Sequence, residues 1–189
     1  STVAISAYVN NGNGINSGHV RVYQINSITL SSKSLTASEL ISIDSQYLGT
    51  VNASSLTTIS GSYSDLKTIY SSNGIAGLGD EALTVTESLS VAQANTITAL
   101  TTGVVTASIS EMKSSILTSL IDTKNLYTIV IADEMISAQE LSIINKKTDL
   151  SVNASNVISV IGSIDQINLV YEENLNGDFT GLGNEEIII

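Results

Sequence analysis

The chain writes one stretch of itself twice, 101 positions apart. Residues 35–74 read LTASELISIDSQYLGTVNASSLTTISGSYSDLKTIYSSNG, and residues 136–175 read ISAQELSIINKKTDLSVNASNVISVIGSIDQINLVYEENL, with no gap. Val51-Asn52-Ala53-Ser54 falls on Val152-Asn153-Ala154-Ser155, Gly61-Ser62 on Gly162-Ser163, and Tyr70 on Tyr171. After a three-residue insertion, Gly77-Leu78-Gly79-Asp80-Glu81 falls on Gly181-Leu182-Gly183-Asn184-Glu185. A self-repeat constrains the architecture before any local propensity is read, because each copy must bury its apolar face against a neighbour.

A finer period lies inside the long one. Ser or Thr is followed three residues later by Glu, Gln or Asp at Thr36/Glu39, Ser62/Asp65, Ser90/Gln93, Ser137/Glu140 and Ser163/Gln166. This is the capping-box pattern: the hydroxyl accepts the N3 amide hydrogen and the N3 side chain returns to the cap amide. Apolar residues follow four and seven positions after each cap: Leu40 and Ile43, Leu66 and Ile69, Ala94 and Ile97, Leu141 and Ile144, Ile167 and Val170. That spacing predicts short amphipathic helices. One more helix is expected over Glu111–Ile121, without a clear box, with Met112, Ile116, Leu117 and Leu120 on its apolar side.

Between the helices lie β-branched stretches at 50–60, 82–87, 104–109, 127–132, 150–161 and 186–189. The chain therefore reads as short helix alternating with short strand, with four such units in each 101-residue copy. Units of this length with one strand and one helix fall in the leucine-rich-repeat range. The expected fold is a right-handed α/β solenoid of about six coils over residues 31–189, preceded by a β-hairpin domain over residues 1–30. A doubly wound α/β domain uses the same alternation, but the self-repeat and the lack of a glycine-rich loop after the first strand speak against it. The capping boxes speak against an all-β parallel helix.

The opening segment has its own pattern. Val3-Ala4-Ile5-Ser6-Ala7-Tyr8 and His19-Val20-Arg21-Val22-Tyr23 read as two strands joined by the turn-rich Asn10-Asn11-Gly12-Asn13-Gly14. The residues at 3–7 and 17–23 resemble the second half of an FG-GAP, integrin-type β-propeller repeat. The Asp-rich calcium loop of that family is not in this chain, and one half-blade cannot close a propeller. The resemblance implies an exported parent protein.

Charge narrows the partners. Eighteen acidic residues against seven basic give a net charge of −11, which repels phosphate backbones and anionic lipid. Nucleic acid and membrane insertion are not expected; no apolar run approaches the roughly 18 residues that span a bilayer. With no cysteine there is no disulfide and no thiolate metal site. Aromatic residues make up only 4 %, so Ile, Leu, Val and Ala must carry the interior.

The candidate sites are few. Asn52 and Asn153 occupy equivalent Val-Asn-Ala-Ser positions and are read as structural, bonding backbone groups at a bend, as asparagine does in leucine-rich repeats. Both are also Asn-x-Ser sequons. Thr36, Ser62, Ser90, Ser137 and Ser163 are structural helix caps. The two Gly-Leu-Gly turns look somewhat like the glycine/aspartate turns of RTX calcium-binding β-rolls. That likeness makes Asp80 and Glu81 candidate calcium ligands, calcium being the one cofactor considered. RTX coils, however, place such turns consecutively, and here they lie 104 positions apart with Asn184 in place of the Asp. The plainer alternative is a tight turn entering a strand.

His19 is the only histidine and is expected to face outward from its strand. Adjacent carboxylates occur at Asp80/Glu81, Asp133/Glu134, Glu172/Glu173 and Glu185/Glu186, where neighbours in a strand point opposite ways. Hydroxyl rows are expected from Thr57-Thr58, Thr84/Thr86, Thr106/Ser108 and Ser159, as a solvated face or a polysaccharide-binding one.

Taken together, the long repeat, the Ser/Thr-rich strands and the FG-GAP-like opening resemble segments of the large acidic repeat proteins that bacteria, cyanobacteria especially, export to the cell surface. The resemblance implies an extracellular or cell-surface, non-catalytic structural or adhesive role. Its partners would be cell-surface glycan or neighbouring copies of itself. A calcium- or glycan-binding module and a polysaccharide-active solenoid enzyme are the alternatives. Ile187–Ile189 is expected to be a strand facing a further coil beyond this chain, leaving an open end suited to end-to-end association.

Overall fold

A computed structural model describes residues 2–7, 19–24, 27–121 and 125–189, the first two segments as backbone only. Strands β1 (Thr2–Ala7) and β2 (His19–Gln24) pair antiparallel, Thr2 opposite Gln24 and Ala7 opposite His19. The expected turn at Asn10–Gly14 and the side chain of His19 lie outside the described residues.

From residue 27 the chain alternates strands with helices. The elements run β3 (Ser27–Thr29), β4 (Ser34–Thr36), α1 (Ala37–Gln46), β5 (Thr50–Asn52), β6 (Thr58–Gly61), α2 (Tyr63–Ser71), β7 (Ile75–Ala76), β8 (Ala82–Leu89) and α3 (Val91–Thr98). They continue with β9 (Val105–Ile109), α4 (Ser114–Leu117), β10 (Leu126–Thr128), β11 (Met135–Ser137), α5 (Ala138–Asn145), β12 (Val152–Asn153), β13 (Ser159–Ile161), α6 (Ile164–Leu175), β14 (Phe179–Thr180) and β15 (Glu186–Ile188).

All five predicted caps stand where expected. The Thr36, Ser62, Ser90, Ser137 and Ser163 side chains each accept from the N3 amide. The reciprocal bond is present except at Ser62, whose partner Asp65 is one methylene shorter than the Glu or Gln at the other boxes. The predicted apolar stripes are buried at Leu40, Leu66, Ile69, Ala94, Ile97, Leu141, Ile144, Ile167 and Val170, with Ile43 half-buried. Each fully buried Leu or Ile contributes about 1.5–3 kcal/mol of transfer free energy, so packing rather than propensity sustains helices this short.

Apart from the hairpin, every pairing among the described residues is parallel and joins successive units. The sheets have the orders β3-β5-β7, β10-β9-β8-β6-β4, β11-β13-β15 and β12-β14. In each, spatial order follows chain order, without the reversal that defines a doubly wound sheet. Leu35, Ile59, Leu83 and Val105 lie side by side in one inward row. Ile136, Val160 and Ile187 form the matching row of the second copy. The chain is thus an α/β protein of alternating strand–helix units in parallel sheets.

Three local expectations are corrected. A typical unit carries two short strands, not one: the continuous β-branched reading of 50–60 and 150–161 is broken by a corner. There Leu56 N–H bonds to the Ala53 carbonyl at 2.9 Å, and Val157 N–H to that of Ala154 at 3.0 Å. The helix expected over 111–121 shrinks to the four residues of α4. Its cap position is Lys113, which has no acceptor to offer, and Met112 and Ile116 are exposed while Leu117 and Leu120 are buried. The strand expected over 127–132 ends at Thr128, followed by an isolated bridge from Val130 to Asn153.

The three-residue insertion between the copies is absorbed by a helix end. α2 has nine residues and α6 has twelve. The strands beyond it keep the same register, Ser60 opposite Thr84 and Ile161 opposite Ile188.

Candidate functional site

The motifs that the chain repeats come together in space. Asn52 and Asn153 each end a short strand, and their side-chain oxygens accept from the backbone two residues on. Ser54 N–H reaches Asn52 Oδ1 at 3.1 Å; Ser155 N–H and Oγ reach Asn153 Oδ1 at 3.0 and 2.6 Å. These bonds hold the chain at the corner, and both asparagines are half-buried.

On each corner sits the first glycine of the next Gly-Leu-Gly turn. Gly77 has φ of +84° and Gly181 of +89°. A Cβ on Gly77 would come within 2.9 Å of Ser54 N, and one on Gly181 within 2.5 Å of Ser155 Cα. Only glycine combines that left-handed backbone with so close an approach.

The glutamate of each turn folds back to close it. Gly79 N–H donates to both Glu81 oxygens, at 3.2 and 2.9 Å, and Asp80 N–H donates to Oε2 at 3.0 Å. The Tyr70 hydroxyl, from α2, completes the set on Oε1. The second copy repeats this: Gly183 N–H donates to the Glu185 oxygens at 2.9 and 2.8 Å, and Tyr171 Oη to Oε2 at 2.7 Å. Glu81 is 1 % exposed, covered by the segment after α3, where Thr101 Oγ1 donates to the Glu81 carbonyl at 2.7 Å. Glu185 is half-buried.

Burial, followed by the bond to an anionic carboxylate, raises the Tyr70 hydroxyl well above its ordinary pKa of 10. The same causes, in the same order, push Tyr171 up to about 12. For Glu185 burial works toward a higher pKa, but the Tyr171 hydroxyl and the turn amides outweigh it and hold the carboxyl below its ordinary value.

Asp80 and Glu81, the candidate calcium ligands, are thereby separated in role: Glu81 is engaged by its own turn and by Tyr70, while Asp80 is exposed. Among the described residues no three His, Cys, Asp or Glu side chains gather as a metal site.

The other adjacent carboxylates divide the same way. Asp133 Oδ2 accepts Ser114 N–H at 2.7 Å, Glu173 Oε1 accepts Ser142 Oγ at 3.0 Å, and Glu185 closes its turn. Glu134, Glu172 and Glu186 are exposed. One member of each pair is structural and the other is solvated.

The helix N-termini reveal contacts that no local motif announces. Glu87 Oε1 accepts Tyr63 N–H at 2.8 Å, Glu111 Oε2 accepts Val91 N–H at 2.9 Å, and Asp133 serves Ser114. In each case a carboxylate of one unit binds the first helical amide of the unit before it, where the helix dipole favours negative charge. At α1 and α5 the following unit instead presents a glycine. A Cβ on Gly61 would lie 2.8 Å from Ala37 Cβ, and one on Gly162 would lie 3.1 Å from Ala138 Cβ.

The hydroxyl rows form, in part. Thr36, Ser60, Thr84 and Thr106 stand in one register row on β4, β6, β8 and β9, continued by Leu126. Ser34 and Thr58 begin a second row that ends at Ala82. Ser88, Ser108 and Thr128 form a third. Ser159 is 6 % exposed, in the row between Met135 and Glu186.

Between α1 and α2 runs a groove of about 670 Å³ with Ile41, Ile69 and Ile75 among its lining. At its side the Lys67 ammonium lies 5.3 Å from the Tyr63 ring centre, a cation–π contact. Among the described residues no helix is long and apolar enough to cross a membrane. No family model matches the chain, and no curated protein or solved structure matches it either.

Proposed function

We propose that the chain is a non-catalytic structural or adhesive repeat segment of an exported bacterial cell-surface protein, built as a right-handed α/β solenoid. The observation that carries this reading is the unreversed parallel order of strands joining successive units. The corner-on-turn contact recurs at the equivalent junction of both copies, and at three further helix starts a carboxylate of the following unit reaches back. Such a stack is an extendable scaffold. The residues written twice are spent on backbone closure, which is what a scaffold requires of them. The acidic, cysteine-free composition suits an exposed exterior.

Inserting a further in-register copy of residues 35–135 tests the architecture. The lengthened chain should stay folded, and four added strand spacings of roughly 4.8 Å should extend its longest dimension by about 20 Å in small-angle scattering. Misfolding, or growth in girth rather than length, would refute the solenoid. Antibody labelling of intact against lysed cells tests the location.

A second reading, glycan binding, is favoured by the in-register hydroxyls of Ser60, Thr84 and Thr106. Replacing Thr84 and Thr106 by valine would abolish it if a glycan array gave a signal.

A further inference from the structure

The two copies share a backbone but present different faces. Thr57 N–H bonds to the Lys33 carbonyl at 2.8 Å, and its counterpart Ile158 N–H to the Glu134 carbonyl at 2.7 Å. The pairing Ser34–Thr58–Ala82 is matched by Met135–Ser159–Glu186, and Thr36–Ser60–Thr84 by Ser137–Ile161–Ile188. At positions facing away from the core, hydroxyls of the first copy have become aliphatic in the second. Ser34 is replaced by Met135, Thr57 by Ile158 and Ser60 by Ile161.

These side chains are not buried by the fold. Met135 is 58 % exposed, Ile158 60 %, Ile161 41 %, and Ile164, at the start of the adjoining helix, 61 %. Met135 and Ile161 are diagonal neighbours on adjacent strands, a spacing within reach of long side chains. The first copy carries Ser34, Thr57 and Ser60 at three of these places and Tyr63 at the fourth, so the scaffold itself does not require Met135, Ile158 or Ile161 to be apolar. Clustered exposed aliphatics rimmed by charge mark interaction surfaces.

The rim turns acidic with the face. Lys33 of the first copy corresponds to Glu134, Ser64 to Asp165, and Ala82 to Glu186; all three acidic residues are exposed. Lys113, the cation next to this face, is held by Asp133 at 3.4 Å. A second copy of this chain, at a net charge of −11, is a poor electrostatic match for such a rim. A glycan would find neither aromatic rings nor hydroxyls among the four central side chains.

We propose that this face docks a basic, aliphatic polypeptide segment. Met135, Ile158, Ile161 and Ile164 would take its apolar side chains, and Glu134, Asp165 and Glu186 its lysines or arginines. The proposal goes beyond the scaffold reading and does not depend on it.

The test uses the intact chain and a fluorescent synthetic peptide alternating isoleucine with lysine. The triple variant Met135→Ser, Ile158→Thr, Ile161→Ser installs the first-copy residues, and its melting curve reports whether folding is kept. Wild type should bind saturably. The triple variant should bind about tenfold more weakly or worse, the loss expected for removing an apolar anchor set. Glu134→Lys should weaken binding severalfold, an effect that shrinks with added salt. Equal affinity of wild type and triple variant would overturn the proposal. So would equal binding of an isoleucine–glutamate peptide, absence of binding to wild type, or a concentration-dependent dimer that the triple variant abolishes. None of these outcomes bears on the block-insertion test of the solenoid.

Discussion

Gly77 lies on the backbone of Ser54, so close that a Cβ would sit 2.9 Å from its nitrogen, at a φ of +84°. Gly79, two residues on, has φ of +141°, but a Cβ there would meet nothing within 4 Å. The two glycines therefore separate crowding from backbone strain. Gly79→Ala should cost about 1–3 kcal/mol, the strain of a side chain held in a sparsely populated positive-φ region. Gly77→Ala should cost more, about 3 kcal/mol or above, because unit stacking must open as well. Urea denaturation of the two variants measures the difference, and equal losses would mean that the corner contact contributes nothing.

The Tyr70 and Tyr171 hydroxyls make the same bond in different surroundings. Tyr70→Phe removes a donor from a carboxylate that is 1 % exposed, leaving a buried acceptor short of a partner, and should cost about 1.5–3 kcal/mol. Tyr171→Phe acts on the half-buried Glu185, where water replaces the lost donor, and should cost about 1 kcal/mol or less. Paired urea titrations should show the first loss clearly exceeding the second.

The Tyr171–Glu185 pair also sets two pH limits. Tyr171 is raised to about 12 from 10, so its contribution is complete below pH 10 and is lost as pH climbs through about 12. Glu185 is lowered from 4.5, so its contribution is present above that value and is lost as pH falls through the lower folded-state value. Glu39, held down by the backbone amide and then the hydroxyl of Thr36, follows the same acid-side sign. Ultraviolet titration of tyrosinate in wild type and Tyr171→Phe should show a late-ionising group missing from the variant, and stability curves against pH should fall off in both stated windows.

Much of the fold was legible because its signals are local. A capping box spans four residues and needs no tertiary partner, so Ser90/Gln93 and Ser163/Gln166 could be placed from spacing alone. The corner after Asn52 was half legible: the repeated Val-Asn-Ala-Ser marked a bend, but Ala53 and Leu56 are both buried there, and the run from Val51 to Ile59, without Gly or Pro, still reads as one strand. The site was half legible. Its glycines and asparagines stood out as duplicated, but adjacency could not tell that Glu81 turns inward while Asp80 does not. Nor does any fixed offset link Glu87, Glu111 and Asp133 to the helices they serve, since those contacts depend on how units stack.

Those stacking carboxylates supply the last prediction. Glu87 and Glu111 each satisfy a first-turn amide of the preceding helix, at 2.8 and 2.9 Å, and place negative charge at its dipole. Losing a helix cap costs about 0.5–2 kcal/mol, typically 1, and the dipole term adds about 0.3–1 kcal/mol. Glu87→Ala and Glu111→Ala should each destabilise by about 1–2 kcal/mol, whereas the solvated Glu172→Ala should stay within about 0.5 kcal/mol of wild type. Glutamine, which keeps the acceptor oxygen and drops the charge, should recover most of the loss at position 87. Hydrogen exchange gives the sharper readout: the amide of Tyr63 should exchange faster in Glu87→Ala while that of Val91 is unchanged, and Glu111→Ala should reverse the pattern. Uniform acceleration of both amides in either variant would show that the carboxylates act on global stability alone and not as joints between particular units.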